Sequence, residues 1–132
     1  MQKILIVEDE KSISNILENI LSDEIQGSEI TIAENGLDAY KLIEKNDFDL
    51  IISDIKMPKL SGTELLSQSL SIKPESVFLM ISGHADIDTA VNCLKNGAYD
   101  FISKPIDINR LITSVKNALE KKNLQNAKNW LV

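Results

Sequence analysis

Apolar positions along the chain follow two alternating rhythms. Short runs of strand length cover Lys3 to Val7, Glu29 to Ala33, Ile51 up to Asp54, Val77 to Ile81 and Ala98 to Ile102. Between them, apolar residues recur every three or four positions, as the inner face of a helix requires. The first such face carries Ile13, Ile16, Leu17, Ile20 and Leu21, and the second carries Leu37, Tyr40 and Ile43. The third has Leu65, Leu66 and Leu70, the fourth Ile87, Ala90, Val91 and Leu94, and the last Ile108, Leu111, Ile112, Val115 and Leu119. Five strands alternating with five helices predict an α/β fold, a parallel sheet with helices on both faces joined by right-handed crossovers.

Boundary residues support this division. Asp9 or Glu10 falls at the amino end of the first helix, where free backbone amides favour negative charge. Asn35-Gly36 reads as a turn or cap, and Ser61-Gly62-Thr63-Glu64 has the spacing of a capping box, hydroxyl and carboxylate serving the first amides. Pro74 pushes Lys73 out of helical geometry, and Asn96-Gly97 suits a helix C-terminus. Asp86 and Asp107 are placed to start the fourth and fifth helices.

A parallel sheet gathers the carboxyl ends of its strands along one edge, where ligands bind in open α/β folds. The residues at those ends are Glu8 and Asp9, then Asp54, Ser82 and Lys104. For a strand order 2-1-3-4-5 the acids meet at the switch point between strands one and three. Clustered carboxylates repel unless a cation joins them, and Mg²⁺ or Mn²⁺ takes such oxygen ligands. A phosphoryl group on Asp54 would then find the metal, the Lys104 ammonium and the Ser82 hydroxyl around its oxygens. Each residue alone has an ordinary explanation: Lys104 pairs with Asp54 or Asp9, and Ser82 caps a helix. Their convergence at four strand ends favours a site.

Bulk properties narrow the choice further. The 132 residues suffice for one domain with one core. A net charge of -6 supplies no basic face for phosphate backbones, so no direct nucleic-acid contact is expected. Cys93 stands alone, which excludes an intramolecular disulfide and suits a reducing compartment. One histidine and one cysteine cannot make a nitrogen-and-sulfur zinc cluster. No apolar segment approaches the roughly 20 residues of a membrane span, and Ile4 to Val7 is too short for a signal peptide core. A cytoplasmic location without membrane contact is expected.

The pair Glu8-Asp9, the run Asp54-Ile55-Lys56-Met57-Pro58 with Gly62 beyond it, the Ser82-Gly83-His84 turn and Lys104-Pro105 together resemble the receiver domain of two-component response regulators. The likeness spans about Lys3 to Lys121, giving a receiver domain over 1–121 and, over 122–132, a helical extension or the start of a linker to an output domain. It implies a flavodoxin-like (βα)5 three-layer sandwich with its five-stranded parallel sheet in the order 2-1-3-4-5. Asp54 would accept a phosphoryl group from a phosphohistidine on a sensor histidine kinase in a Mg²⁺-dependent reaction. Asp9, Asp54 and the backbone carbonyl of Lys56 would ligate the metal, with Glu8 acting through water. Ser82 and Lys104 would contact the phosphoryl oxygens, with a cis bond between Lys104 and Pro105. Members more often carry Thr where this chain has Ser82.

The resemblance also implies a switch. Ser82 moves toward the phosphoryl group and Phe101 turns inward, altering the face of helix 4, strand 5 and helix 5, through which a homodimer would form. Tyr99 would point the same way as Phe101 by strand alternation and rivals it for that role. Such a domain is not an enzyme in the ordinary sense, since it catalyses only its own modification. The wording around Ser82 to Ile87 and Gly97 to Phe101 is most similar to nitrogen-regulation regulators that drive sigma-54 transcription. His84 is expected to be an exposed loop residue without a role, and Leu124 and Leu131 stand at heptad spacing. An FMN-binding flavodoxin would need a hydroxyl- and glycine-rich loop where Glu8-Asp9-Glu10 stands. A phosphatase with an aspartate nucleophile usually has an acid where Lys56 stands. The alternative kept open is an interaction module of receiver fold that works without phosphorylation.

Overall fold

Side chains in a strand point alternately to opposite faces, and here both alternating sets are apolar. In the computed structural model, which describes residues 2–83 and 87–131 (126–131 by backbone alone), the two sets build two cores. The strands are β1 (Lys3–Val7), β2 (Glu29–Ala33), β3 (Leu50–Asp54), β4 (Phe78–Ser82) and β5 (Asp100–Ser103). The helices are α1 (Lys11–Glu24), α2 (Gly36–Lys45), α3 (Gly62–Ile72), α4 (Ile87–Lys95) and α5 (Ile108–Leu131). All pairings are parallel, in the order β2-β1-β3-β4-β5. The expected flavodoxin-like three-layer sandwich is the observed one.

On one face Ile4, Ile6, Leu50, Ile52, Leu79 and Ile81 meet Leu17 and Leu21 of α1 and Leu111, Val115 and Ala118 of α5. On the other, Leu5, Val7, Ile51, Phe78 and Met80 meet Ala39 and Ile43 of α2, Leu65 and Leu66 of α3, and Ala90 and Cys93 of α4. Strands buried on both faces need continuous apolar runs, which explains why β3 and β4 show no polar alternation. At roughly 1.5–3 kcal/mol for each fully buried large apolar side chain, this double layer is the main source of stability.

Helix ends follow local chemistry. Asn35 caps α2 by accepting from the Asp38 amide at 2.8 Å. Ser61 caps α3 by accepting from the Glu64 amide, but the Glu64 carboxylate accepts from the Ser61 hydroxyl at 3.0 Å where a capping box would engage a backbone amide. At the end of α4, Gly97 has φ 113°, and the amides of Gly97 and Ala98 donate to the carbonyls of Leu94 and Cys93. That is a Schellman closure, and glycine supplies its left-handed residue without strain. The proposed cap Asp86 and the loop residue His84 lie outside the described residues, as does the side chain of Leu131.

Three expectations are corrected. Ile16 does not face the core: it is 56% exposed, because the α1 face in contact with the sheet is filled by Leu17 and Leu21, and Leu37, Ile87, Val91, Leu94 and Ile108 of the expected inner faces are likewise more than a third exposed. β4 and β5 begin one and two residues later than the apolar runs, since Val77 and Ala98 are buried in the approaches to the strands. Tyr99 does not share a face with Phe101. Tyr99 precedes the strand and packs on the α1 and α5 side, under the Lys121 ammonium, whereas Phe101 packs on the side of α2 to α4. Alternation does not extend to a residue outside the ladder.

Candidate functional site

Strand register brings the chemical groups together. Val7 is level with Ser53, Asp54 with Ile81, and Ser82 with Ser103, so the residues at or just beyond β1, β3, β4 and β5 form one rim. Glu8 is 1% and Asp54 6% exposed, while Asp9 is open to solvent. Oxygens of the three carboxylates lie within 4.8 Å of one another. Lys104 reaches in from beyond β5, its ammonium donating to Asp54 Oδ2 at 2.7 Å and standing 3.7 Å from Glu8 Oε1. The Lys104-Pro105 peptide is cis.

Backbone groups complete the cradle. The Lys56 amide donates to Asp54 Oδ1 at 3.2 Å, and the Glu10 amide donates to Glu8 Oε2 at 3.3 Å. Among the described residues, Glu8 Oε1 is buried with no hydrogen-bond partner. A buried carboxylate oxygen left without a donor is costly, and it is the kind of group that a cation satisfies. The donor set is oxygen only and rich in charge, so it fits Mg²⁺ or Mn²⁺.

The electrostatics agree. Burial, joined by the neighbouring charge of Asp54, raises the Glu8 pKa from 4.5 to about 7. Burial pulls the Lys104 ammonium down, but the hydrogen bond and charge of Asp54, with Glu8 and Glu10 behind them, outweigh it and hold its pKa above the ordinary lysine value. The Glu8 shift has a consequence for stability. Because the folded pKa lies above the ordinary one, the folded chain binds the extra proton, and stability falls as pH rises from about 4.5 through 7. At about 1.4 kcal/mol per pKa unit the loss from this group is about 3 kcal/mol. Urea unfolding without divalent metal is expected to show that decline, and Glu8→Gln to flatten it; an unchanged pH profile in the variant would refute the assignment.

The remaining predicted residues are placed as follows. Ser82 is fully buried at the rim, but its hydroxyl donates to the Gly83 carbonyl at 2.9 Å and not to Asp54. Phe101 is half-buried against the core on the α4 side. Sequence reasoning missed what holds Phe101 in place. Asp100 accepts from both nitrogens of the Arg110 fork, from the Ser114 hydroxyl at 2.8 Å and from the Phe101 amide at 2.8 Å. Arg110 also donates to the Phe101 carbonyl at 3.0 Å, so the β5 backbone is clasped to α5. Burial works against the Asp100 charge, yet Arg110 and Ser114 bring its pKa below the ordinary value. An aspartate opening an apolar strand was the available signal.

The family model for the response regulator receiver domain matches residues 4–116. This chain belongs to the response regulator receiver family. Receiver domains of this family bind Mg²⁺ at an acidic pocket and interact with sensor kinases, and Glu8, Asp9 and Asp54 form such an acidic cluster here. Among curated relatives, the nitrogen assimilation regulatory protein NtrX of Azorhizobium caulinodans is 42% identical over 119 residues, 89% of this chain and 26% of that protein. The DNA-binding transcriptional regulator NtrC of Escherichia coli is 32% identical over 116 residues, 88% of this chain and 24% of that protein. The chain thus spans about a quarter of the length of these relatives. A receiver domain structure from Clostridium thermocellum superposes with a TM-score of 0.88 at 31% identity, covering 95% of this chain and 99% of that one. NtrX from Brucella abortus gives 0.88 at 38% identity, over 100% of this chain and 30% of that one. These receiver relatives bear out the likeness to nitrogen-regulation regulators. Among the described residues, no helix is long and apolar enough to cross a membrane.

Proposed function

We propose that this receiver domain takes a phosphoryl group onto the Asp54 carboxylate from a phosphohistidine of a sensor kinase. The observation that carries the reading is the convergence of three carboxylates with Lys104, 2.7 Å from Asp54, at one sheet edge. In the transfer an Asp54 oxygen forms the new P–O bond as the P–N bond breaks, and the electron pair stays with the imidazole. Asp9, Asp54 and the Lys56 carbonyl would hold Mg²⁺, with Glu8 behind a water. When bound, the metal neutralises charge on the phosphoryl oxygens. Lys104 and Ser82 serve the other oxygens, Ser82 after leaving the Gly83 carbonyl.

Two surfaces fit this role. An apolar groove of Ile13, Ile16 and Ile20 on α1 with Pro105, Ile106 and Ile108 has Lys104 in its wall, so a phosphodonor seated there lies beside Asp54. That accounts for the exposed Ile16. On α4, Ile87, Val91 and Leu94 are each more than a third exposed, at the spacing of one face. With Phe101 they form the output surface of α4, β5 and α5, suited to a homodimer contact. The output is transcription, as in the relatives named as transcriptional regulators. The receiver unit is 1–121, and beyond it α5 continues to Leu131 as a helical extension or the start of a linker to an output domain; the unit turns over no separate substrate and works in the cytoplasm.

Intact mass after incubation with acetyl phosphate, with and without Mg²⁺, tests the reading. A single metal-dependent phosphoryl adduct is expected. No adduct under any condition would leave an interaction module that works without phosphorylation. Lys104→Ala is expected to keep a slow phosphoryl uptake, reduced about 10²-fold as for loss of one electrostatic donor, and to lose phosphorylation-dependent dimerisation. Full dimerisation by that variant, read by light scattering, would exclude the coupling role.

A further inference from the structure

The loop between β3 and α3 carries the Lys56 carbonyl, and its path is fixed from outside the site. Its neck is closed by the Gly62 amide donating to the Ile55 carbonyl at 2.7 Å. Within it the Leu60 amide donates to the Pro58 carbonyl at 2.8 Å, and Lys59 takes a φ of 69°, uncommon for a side chain with a Cβ. The loop is therefore held as a unit, and the Lys56 amide ties it to Asp54.

The outer side of that unit rests on the first residue of α2. A Cβ built on Gly36 would stand 2.8 Å from both the carbonyl carbon and the Cβ of Leu60, and closer still to the Leu60 oxygen. The obstacle is backbone, which cannot swing aside as a side-chain end can. Nor is α2 free to retreat. Asn35, 7% exposed, fixes its first turn through two hydrogen bonds to Asp38, and the Ala33 carbonyl just before it accepts from the Glu8 amide at 3.0 Å. Whichever side yields, a residue of the acidic cluster or the loop that serves it moves.

We propose that Gly36, outside the site itself, is a positioning residue that sets the Lys56 carbonyl for metal binding by letting α2 abut Leu60. The inference rests on the reading of the Lys56 carbonyl as a metal ligand. Residues that orient a ligand from behind typically change metal affinity 10–100-fold. The helix propensity of alanine exceeds that of glycine, so any loss in Gly36→Ala comes from the contact and not from α2 itself.

The test is a calorimetric Mg²⁺ titration of the chain, of Gly36→Ala and of Leu37→Ala, an exposed neighbour on the same helix. It is paired with amide chemical shifts recorded in chelator. Gly36→Ala is expected to bind Mg²⁺ about tenfold more weakly and to shift the amides of residues 55–62 before metal is added. Leu37→Ala is expected to do neither. Unchanged affinity with unchanged loop amides in Gly36→Ala overturns the inference. If Gly36→Ala does not fold, Asn35→Ala, which loosens the first turn of α2 against Leu60, replaces it; weaker Mg²⁺ binding supports the inference and unchanged binding overturns it. Failure of the unmodified chain to bind Mg²⁺ sinks the metal reading itself, a result distinct from equal binding by chain and variant.

Discussion

Asp54→Asn is expected to abolish phosphoryl uptake while keeping the fold. An amide oxygen is no match for a carboxylate as nucleophile, and the variant also removes one of the proposed metal ligands, so uptake should fall by at least ~10³-fold. The fold survives because Lys104 keeps a partner: Glu8 Oε1 stands 3.7 Å away, and loss of the Asp54 charge relieves the repulsion that adds to burial in raising the Glu8 pKa. Far-UV circular dichroism and urea unfolding should match the parent within about 1 kcal/mol, well below the 3–5 kcal/mol of a buried charge stripped of its partner. Uptake at the parental rate would remove Asp54 from the centre of the account.

Gly62→Ala is expected to damage both stability and site. A Cβ there would lie 2.8 Å from the Ile55 Cα and closer to the Asp54 carbonyl oxygen, so β3 and α3 must separate. Overpacking against backbone costs about 1–3 kcal/mol. The strain falls on Asp54, the proposed phosphoryl acceptor, so phosphoryl uptake should slow by about tenfold or more, a 1 Å misplacement being enough for about 10²-fold. Urea unfolding and uptake kinetics, read together, check this. A variant as stable and as fast as the parent would show that the α3 start does not set Asp54.

The contrast between these residues shows what sequence can convey. Asp54, Glu8 and Lys104 were legible because a parallel sheet leaves one edge for the carboxyl ends of its strands, whatever the side-chain details. The continuous apolar runs, apolar on both alternating faces, marked both cores in the same way. Gly36 and Gly62 were legible as helix starts but not as wedges against the β3–α3 loop, because that contact depends on the path of a loop with no periodicity. The Ser82 hydroxyl was legible as a rim group, yet its bond to the Gly83 carbonyl is a rotamer choice. Ile16 has the spacing of a core residue, and only the width of the α1 contact shows that it faces a groove beside Lys104. Tyr99 and Phe101 have the same parity in sequence, and the start of β5 at Asp100 separates them.

The central claim is that Asp54, and no other group, carries the phosphoryl. Reductive trapping tests it most directly: the chain is treated with acetyl phosphate and Mg²⁺, reduced with borohydride to convert an acyl phosphate to homoserine, and mapped by peptide mass spectrometry. The account predicts homoserine at position 54 and parental sequence at Glu8 and Asp9. Homoserine at another aspartate, 5-hydroxynorvaline at a glutamate such as Glu8, or neither after a demonstrated phosphoryl adduct, would contradict it.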